Sequence, residues 1–227
     1  DDSDCILIIG ARPEQNHPVA ATYFKQAAKR GAKLIVMDVR KQGLMRHSSH
    51  PVIFGAGRDV AILNAMIHTI IEEDLYDKQY VQSNTEGFES LYEKVKDFSP
   101  ENMSEICEVN PEYIKEIART FAKSERSIIF WGMGISQHIH GTDNARCLIA
   151  LSLITGHIGR PGTGIHPLRG QNNVQGASDA GLIPMVYPNY QSVEDPNVRK
   201  IYENSWGVKL DPLKGLTVVE IMNEVTK

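Results

Sequence analysis

The residues best suited to chemistry lie together near position 170. Arg169 is followed by Gln171, Asn172, Asn173 and Gln175, interleaved with Gly170 and Gly176. Carboxamides supply donors and acceptors without charge, which suits a large polar heterocycle. Arg169 offers a planar fork matched to a carboxylate. The plainer alternative is a Gly-rich surface loop with a solvated arginine, and the density of amides argues against it. A second set of candidates follows the ends of apolar runs, or sits where a short strand is expected to end. Gly10 to His17, Asp38 to Arg40, Gly55 to Asp59 and Gly132 to His140 are loops of small or polar residues in such places. In open parallel sheets, ligands bind beyond the carboxyl ends of strands, so four such loops would line one edge. Backbone amides after Gly10 suit a phosphate. Asp38 suits the hydroxyls of a ribose. Asp59 suits either a helix N-cap or a guanine edge.

Other chemistries find less support. His138, His140, His157 and His166 have no acidic or cysteine partner at ligand spacing, which disfavours a metal site of their own. Cys5, Cys107 and Cys147 are widely separated and form no CxxC pair, so neither a zinc or iron–sulfur site nor a disulfide scaffold is expected from them. Cys147 lies in an apolar helical stretch and reads as a buried thiol. No Gly-x-Ser-x-Gly elbow is present. The loop after Gly10 lacks GxGxxG, which argues against a standard NAD-binding turn. The chain has 24 basic and 28 acidic residues, a net charge of −4, and no basic block, which argues against a nucleic-acid binder. Its apolar runs are too short to span a bilayer. No basic-then-apolar leader is visible, and a cytoplasmic location is expected. The start Asp1-Asp2-Ser3-Asp4, without Met, looks like a piece cut from something longer.

The elements that must position these residues follow from periodicity. Cys5–Ile9 and Lys33–Asp38 are continuous apolar runs, read as strands buried on both faces. Between them His17 to Arg30 reads as a helix stopped by Gly31, giving a right-handed βαβ unit. Residues 52–54 suggest a short third strand. A helix from Val60 to about Glu73 follows, with Asp59 as N-cap. Three shorter helices are expected across 75–123, two of them entered through Ser99-Pro100 and Asn110-Pro111. Ser127–Trp131 reads as another buried strand and Thr142 to Ile154 as a helix. Between Gly156 and Gly181 seven glycines erase any period. Two further helices are expected at 196–204 and 217–225. The expected fold class is α/β, a Rossmann-like, mostly parallel sheet with helices on both faces. An irregular Gly/Pro-rich tail comes after it, with a domain boundary near 165.

The stretch Arg169-Gly170-Gln171-Asn172-Asn173-Val174-Gln175-Gly176-Ala177-Ser178-Asp179 resembles a signature of the molybdopterin oxidoreductases, and of formate dehydrogenase catalytic (alpha) subunits in particular. Asn16-His17-Pro18, Trp131-Gly132-Met133-Gly134, Thr155 through Gly162, and Pro188-Asn189-Tyr190-Gln191 fall in that family's order, so the resemblance runs along essentially the whole chain. It implies a Mo or W ion held by two molybdopterin guanine dinucleotides (bis-MGD). It also implies a Cys or selenocysteine metal ligand with a neighbouring His, and a [4Fe-4S] cluster, all with ligands outside this chain. Residues 1–165 would be a molybdopterin-guanine-dinucleotide-binding domain, and 166–227 part of a neighbouring cofactor domain. Gly10, Gln15 and Asn16 would lie at the phosphate and ribose side. Asp38 and Arg40 fall in the family's Asp-Pro-Arg element, and Gly57 and Asp59 in its guanine loop. Met133, Gln137 and Gln171 would lie on the pterin side. Arg169 would hold the formate carboxylate, at the mouth of the sheet.

Two departures stand out: Arg12 replaces the family's usual Asn, and Val39 its usual Pro. The implied activity is oxidation of formate to CO2, with two electrons passing to the cluster, and a fragment that is inactive alone. Implied partners are formate, the rest of the alpha subunit, and electron-transfer subunits or an NAD-reducing partner. Another molybdopterin oxidoreductase, or a nucleotide-binding NAD dehydrogenase domain, are the alternatives.

Overall fold

The apolar runs become parallel strands because both of their faces are covered. In the computed structural model, which describes residues 2–225, β1 (Cys5–Ile9) is buried along its whole length. The loop after it holds a single turn of helix, α1 (Pro13–Asn16), and then α2 (Pro18–Lys29). Next come β2 (Lys33–Asp38), β3 (His50–Ile53) and α3 (Asp59–Glu72). Four helices, α4 (Lys78–Asn84), α5 (Phe88–Val95), α6 (Pro100–Cys107) and α7 (Pro111–Lys123), lead to β4 (Ser127–Trp131). α8 (Met133–Ser136), α9 (Gly141–Ile154) and β5 (Gly164–Pro167) complete the first of two compact units, Asp1–Gly170.

The strand order is β3-β2-β1-β4-β5, and all pairs are parallel. The chain steps outward from β1 to β3, then returns to the other side of β1. Right-handed crossovers therefore put α2 on one face and α3, α7 and α9 on the other. Alternation along β1 shows the two cores. Ile6 and Ile8 pack with Phe24, Ala27, Leu34 and Val36, while Leu7 and Ile9 pack with Leu63, Met66, Ile67, Phe121 and Leu148. The α/β expectation with helices on both faces is met. Ile9 pairs in register with both Met37 and Trp131, so three strands end at one level.

Several expectations need correction. Helices α4 to α7 number four, not three. Ser99 and Asn110 do cap α6 and α7, accepting from the Asn102 and Glu112 amides. Asp59 is the first helical residue of α3, and Arg58 is the N-cap. β5 escapes a sequence reading because Gly164-Ile165-His166-Pro167 is a short edge strand with no apolar period, where a terminal proline is tolerated. The chain divides into two compact units after Gly170.

The second unit, Gln171–Lys227, comprises α10 (Val174–Asp179), a hairpin of β6 (Val186–Tyr187) and β7 (Gln191–Ser192), α11 (Pro196–Trp206) and α12 (Val218–Val225). α10 stands where no period is legible, and its N-cap Asn173 accepts from the Gly176 amide. Asp195 caps α11 through the Asn197 amide at 2.8 Å. Tyr187, Tyr202 and Trp206 pack into a small aromatic cluster through tilted and edge-on contacts. α12 opens on a reciprocal Thr217–Glu220 capping box.

Behind the sheet's amino edge, His157 is buried and stands edge-on to Phe121. Its Nε2–H donates to the Phe121 carbonyl at 3.2 Å, while among the described residues Nδ1 finds no partner. Burial holds its pKa down, from 6.5 to about 4, against the opposing pull of that carbonyl. The unfolded chain takes up this proton near 6.5, so the stabilisation is complete above pH 6.5 and is lost as pH falls towards about 4. Between pH 6.5 and 5 the loss is roughly 2 kcal/mol. Urea midpoints at the two pH values should show this slope in the native chain and lose it in His157→Gln. An equal slope in both would exclude His157.

Candidate functional site

Because three strands end level, the loops after β1, β2 and β4 meet at the carboxyl edge, at the point where the strand order reverses. Three glycines make the meeting close. The Gly134 amide donates to the Gly10 carbonyl at 3.0 Å, and the Gly132 amide to the Ile9 carbonyl at 3.3 Å. A Cβ on Gly134 would stand 2.7 Å from the Gly10 oxygen, and one on Gly132 equally close to it. Gly10 itself adopts φ +58°, a left-handed backbone that glycine takes at no steric cost.

Over this floor opens a cavity of ≈ 430 Å³. Gly10, Ala11, Arg12, Gln15, Asn16 and His17 form one wall. Asp38, Val39 and Arg40 form a second, and Gly132, Met133, Gly134, Leu168 and Gly170 a third. Of the candidates read from sequence, Gly10, Gln15, Asn16, Asp38, Arg40 and Met133 are thus brought together. Met133 is partly exposed and lies over Gly170, where an added Cβ would touch its Cε at 2.8 Å.

Asp38 is the hub of the polar wall. Its Oδ2 accepts from Gln42 Nε2 at 2.8 Å, and its Oδ1 accepts weakly from the Arg40 amide at 3.3 Å. Arg12 Nε stands 3.9 Å from Oδ2. Burial raises the pKa of this carboxyl; Arg12, a backbone amide and Gln42 pull the other way. With about four lone-pair sites, the carboxylate keeps room for a ligand hydroxyl.

The remaining candidates do not wall the cavity. Asp59 is almost fully buried and faces His138, Nε2 to Oδ2 at 3.9 Å. Burial raises its pKa, opposed by its own backbone amide and His138. Gly57 lies on an exposed turn at φ +73° with open space around it. Gln137 is exposed just past α8, its amide bonded to the Met133 carbonyl. Arg169 lies two residues beyond β5, at the same carboxyl edge, but is exposed. Its neighbours Leu168 and Gly170 wall the cavity; Arg169 does not. Gln171 opens the second unit and is exposed there.

His17 and Gln42 are among the contributors that sequence reasoning does not single out. His17 belongs to the wall. Gln42 ties the Asp38 carboxylate to the Ala11 carbonyl, 2.9 Å from its Nε2. The one hint of the latter is its place in the loop after the strand that ends at Asp38. All three cysteines are buried and free, and burial lifts Cys147 to about 11, which leaves it no nucleophilic role. Among the described residues no cluster of His, Cys, Asp and Glu is arranged to hold a metal, and no helix is long and apolar enough to cross a membrane.

Comparison with known proteins identifies the family. Residues 1–207 match the molybdopterin oxidoreductase family model. The chain is 45% identical over 225 residues to the F420-dependent formate dehydrogenase subunit alpha of Methanocaldococcus jannaschii, covering 99% of this chain and 33% of that protein. It is 42% identical over 212 residues to formate dehydrogenase H of Escherichia coli, covering 93% and 30%. Among solved structures it resembles acetylene hydratase from Pelobacter acetylenicus, with a TM-score of 0.67 at 30% identity over 71% of this chain and 22% of that one. The chain spans about a third of the length of the two formate dehydrogenases.

Proposed function

Because the chain belongs to the molybdopterin oxidoreductase family, we propose that it is the part of a formate dehydrogenase alpha subunit that holds one guanine dinucleotide of the cofactor. The observation that carries this is the glycine-floored, donor-rich cavity at the sheet's reversal point. Its volume of ≈ 430 Å³ falls in the usual range for ligand pockets. Its side chains also fit such a group. Arg12, Arg40, Gln15, Asn16 and His17 can donate to phosphate oxygens, and Asp38 can accept from a ribose. The close glycine backbones let a diphosphate approach main-chain amides.

In the full-length protein, Gly10, Gln15, Asn16 and Arg40 would hold the phosphates and Asp38 the sugar. Gly57 and Asp59 are assigned to the guanine end, and Met133, Gln137 and Gln171 to the pterin end. Met133, Val39 and Leu168 are apolar and would exclude water from the charged contacts, which strengthens them. Arg169 would orient the formate carboxylate by a bidentate fork, so that the C–H bond faces the reacting centre. When bound, the bis-pterin Mo or W centre supplies the two-electron redox chemistry. This reading also calls for a [4Fe-4S] cluster, with ligands outside this chain, that would supply one-electron redox chemistry, and for electron-transfer partner subunits of a cytoplasmic enzyme. An NAD-binding domain is the weaker reading, since the first loop lacks GxGxxG.

The test is composition. The purified full-length protein is expected to contain molybdenum or tungsten and to release guanine nucleotide on acid hydrolysis. Absence of both metals would overturn the proposal. The 227-residue chain alone is expected to show no formate oxidation, because the metal thiolate and cluster ligands lie elsewhere. Turnover by the isolated chain would contradict this.

A further inference from the structure

Arg12 stands in the cavity wall and is one of the two departures from the pattern of the family that the sequence resembles. The difference adds a positive charge to the site. Arg12 and Arg40 against Asp38 leave the wall with one net positive charge before His17 is counted; with Asn at position 12 the wall would be neutral. Arg12 is also uncommitted in its contacts. Its Nε lies 3.9 Å from Asp38 Oδ2, beyond hydrogen-bond range, so the pair is electrostatic. Among the described residues its guanidinium makes no hydrogen bond, and its side chain is only about a quarter exposed. Five donors are therefore held near the cavity without being used.

What holds them is a built arrangement. Gln42 Nε2 donates both to Asp38 Oδ2 at 2.8 Å and to the Ala11 carbonyl at 2.9 Å. It thereby ties the residue before Arg12 to the carboxylate that faces Arg12. Asp38 restrains the guanidinium by charge alone, and a ligand phosphate competes for it on favourable terms because phosphate matches the fork bidentately.

Resting on the reading of this cavity as a dinucleotide pocket, we infer that Arg12, poised by Asp38 and Gln42, is an additional phosphate-binding residue that makes the cavity prefer a charged diphosphate over an uncharged nucleoside. Isothermal titration of the 227-residue chain with GDP, inorganic pyrophosphate and guanosine tests this, with Arg12→Asn and Arg12→Lys compared to the native chain. Circular dichroism establishes that each variant is folded. Arg12→Asn is expected to weaken GDP and pyrophosphate on the order of tenfold and to leave guanosine unchanged. Arg12→Lys should recover part of the loss, and added salt should narrow the gap between native chain and Arg12→Asn.

Equal GDP affinity in native chain and Arg12→Asn would overturn the role of Arg12 and leave the pocket reading standing. So would an equal loss for GDP and guanosine, which would mark a merely structural effect. A native chain that binds neither GDP nor pyrophosphate would overturn the pocket reading and this role with it.

Discussion

Gly10→Val is expected to destabilise the chain by roughly 2–5 kcal/mol, through two separable causes. The first is conformational: φ +58° is left-handed, and a side chain there costs about 1–2 kcal/mol. The second is steric. A Cβ at Gly10 would stand 2.9 Å from the Gly134 carbonyl carbon and from the Ile135 amide nitrogen. Both are backbone atoms that cannot rotate aside, and overpacking of this kind costs about 1–3 kcal/mol. Gly57→Ala separates the two causes, because φ is +73° there with nothing within 4 Å of the added carbon. Gly134→Ala isolates the steric one, its Cβ being 2.7 Å from the Gly10 oxygen. Urea midpoints of the three variants should rank Gly10→Val as the most damaging and Gly57→Ala as the least. If Gly10→Val costs no more than Gly57→Ala, the loops after β1 and β4 are not locked together and the cavity floor is soft.

That floor marks what a sequence can and cannot disclose. Cys5–Ile9, Lys33–Asp38 and Ser127–Trp131 are legible as strands because a short run of apolar residues buries both faces most readily inside a parallel sheet. Parallel strands then place Gly10, Asp38 and Met133 at one edge without further information. β5 is not legible, since Gly164 and Pro167 leave too few side chains to show a period. With β5 hidden, the part of the wall formed by Leu168 and Gly170 is hidden too. Asp59 is legible as a polar residue at a helix start, but not as one turned inward to face His138 at 3.9 Å. That contact depends on where α8 ends, and α8 is remote in sequence from α3. Gln42 cannot be assigned from sequence because its two partners, Ala11 and Asp38, are contributed by different strand ends. Short-range pattern thus locates the sheet edge, and tertiary contact chooses which side chains at that edge face one another.

Arg169 gives the sharpest separation between a structural and a catalytic role. It is exposed, and among the described residues it makes no hydrogen bond or ion pair. Arg169→Ala in the 227-residue chain should therefore change stability by less than about 0.5 kcal/mol. If the proposed formate dehydrogenase reading holds, the same substitution in the full-length protein is expected to lower kcat/KM for formate by roughly 30- to 1000-fold, equivalent to about 2–4 kcal/mol of lost transition-state stabilisation. Formate is a one-carbon anion, so on this reading losing the fork would remove both charge and orientation. Arg169→Lys restores the charge but not the planar pair of donors, and it should recover only part of the rate. An unchanged kcat/KM would remove Arg169 from the mechanism. A parallel fall in stability and activity would make it a structural residue. On the proposed reading, an arginine inert to folding yet decisive for turnover would have its partner outside the fold, and for a carboxylate-matched fork that partner would be the substrate.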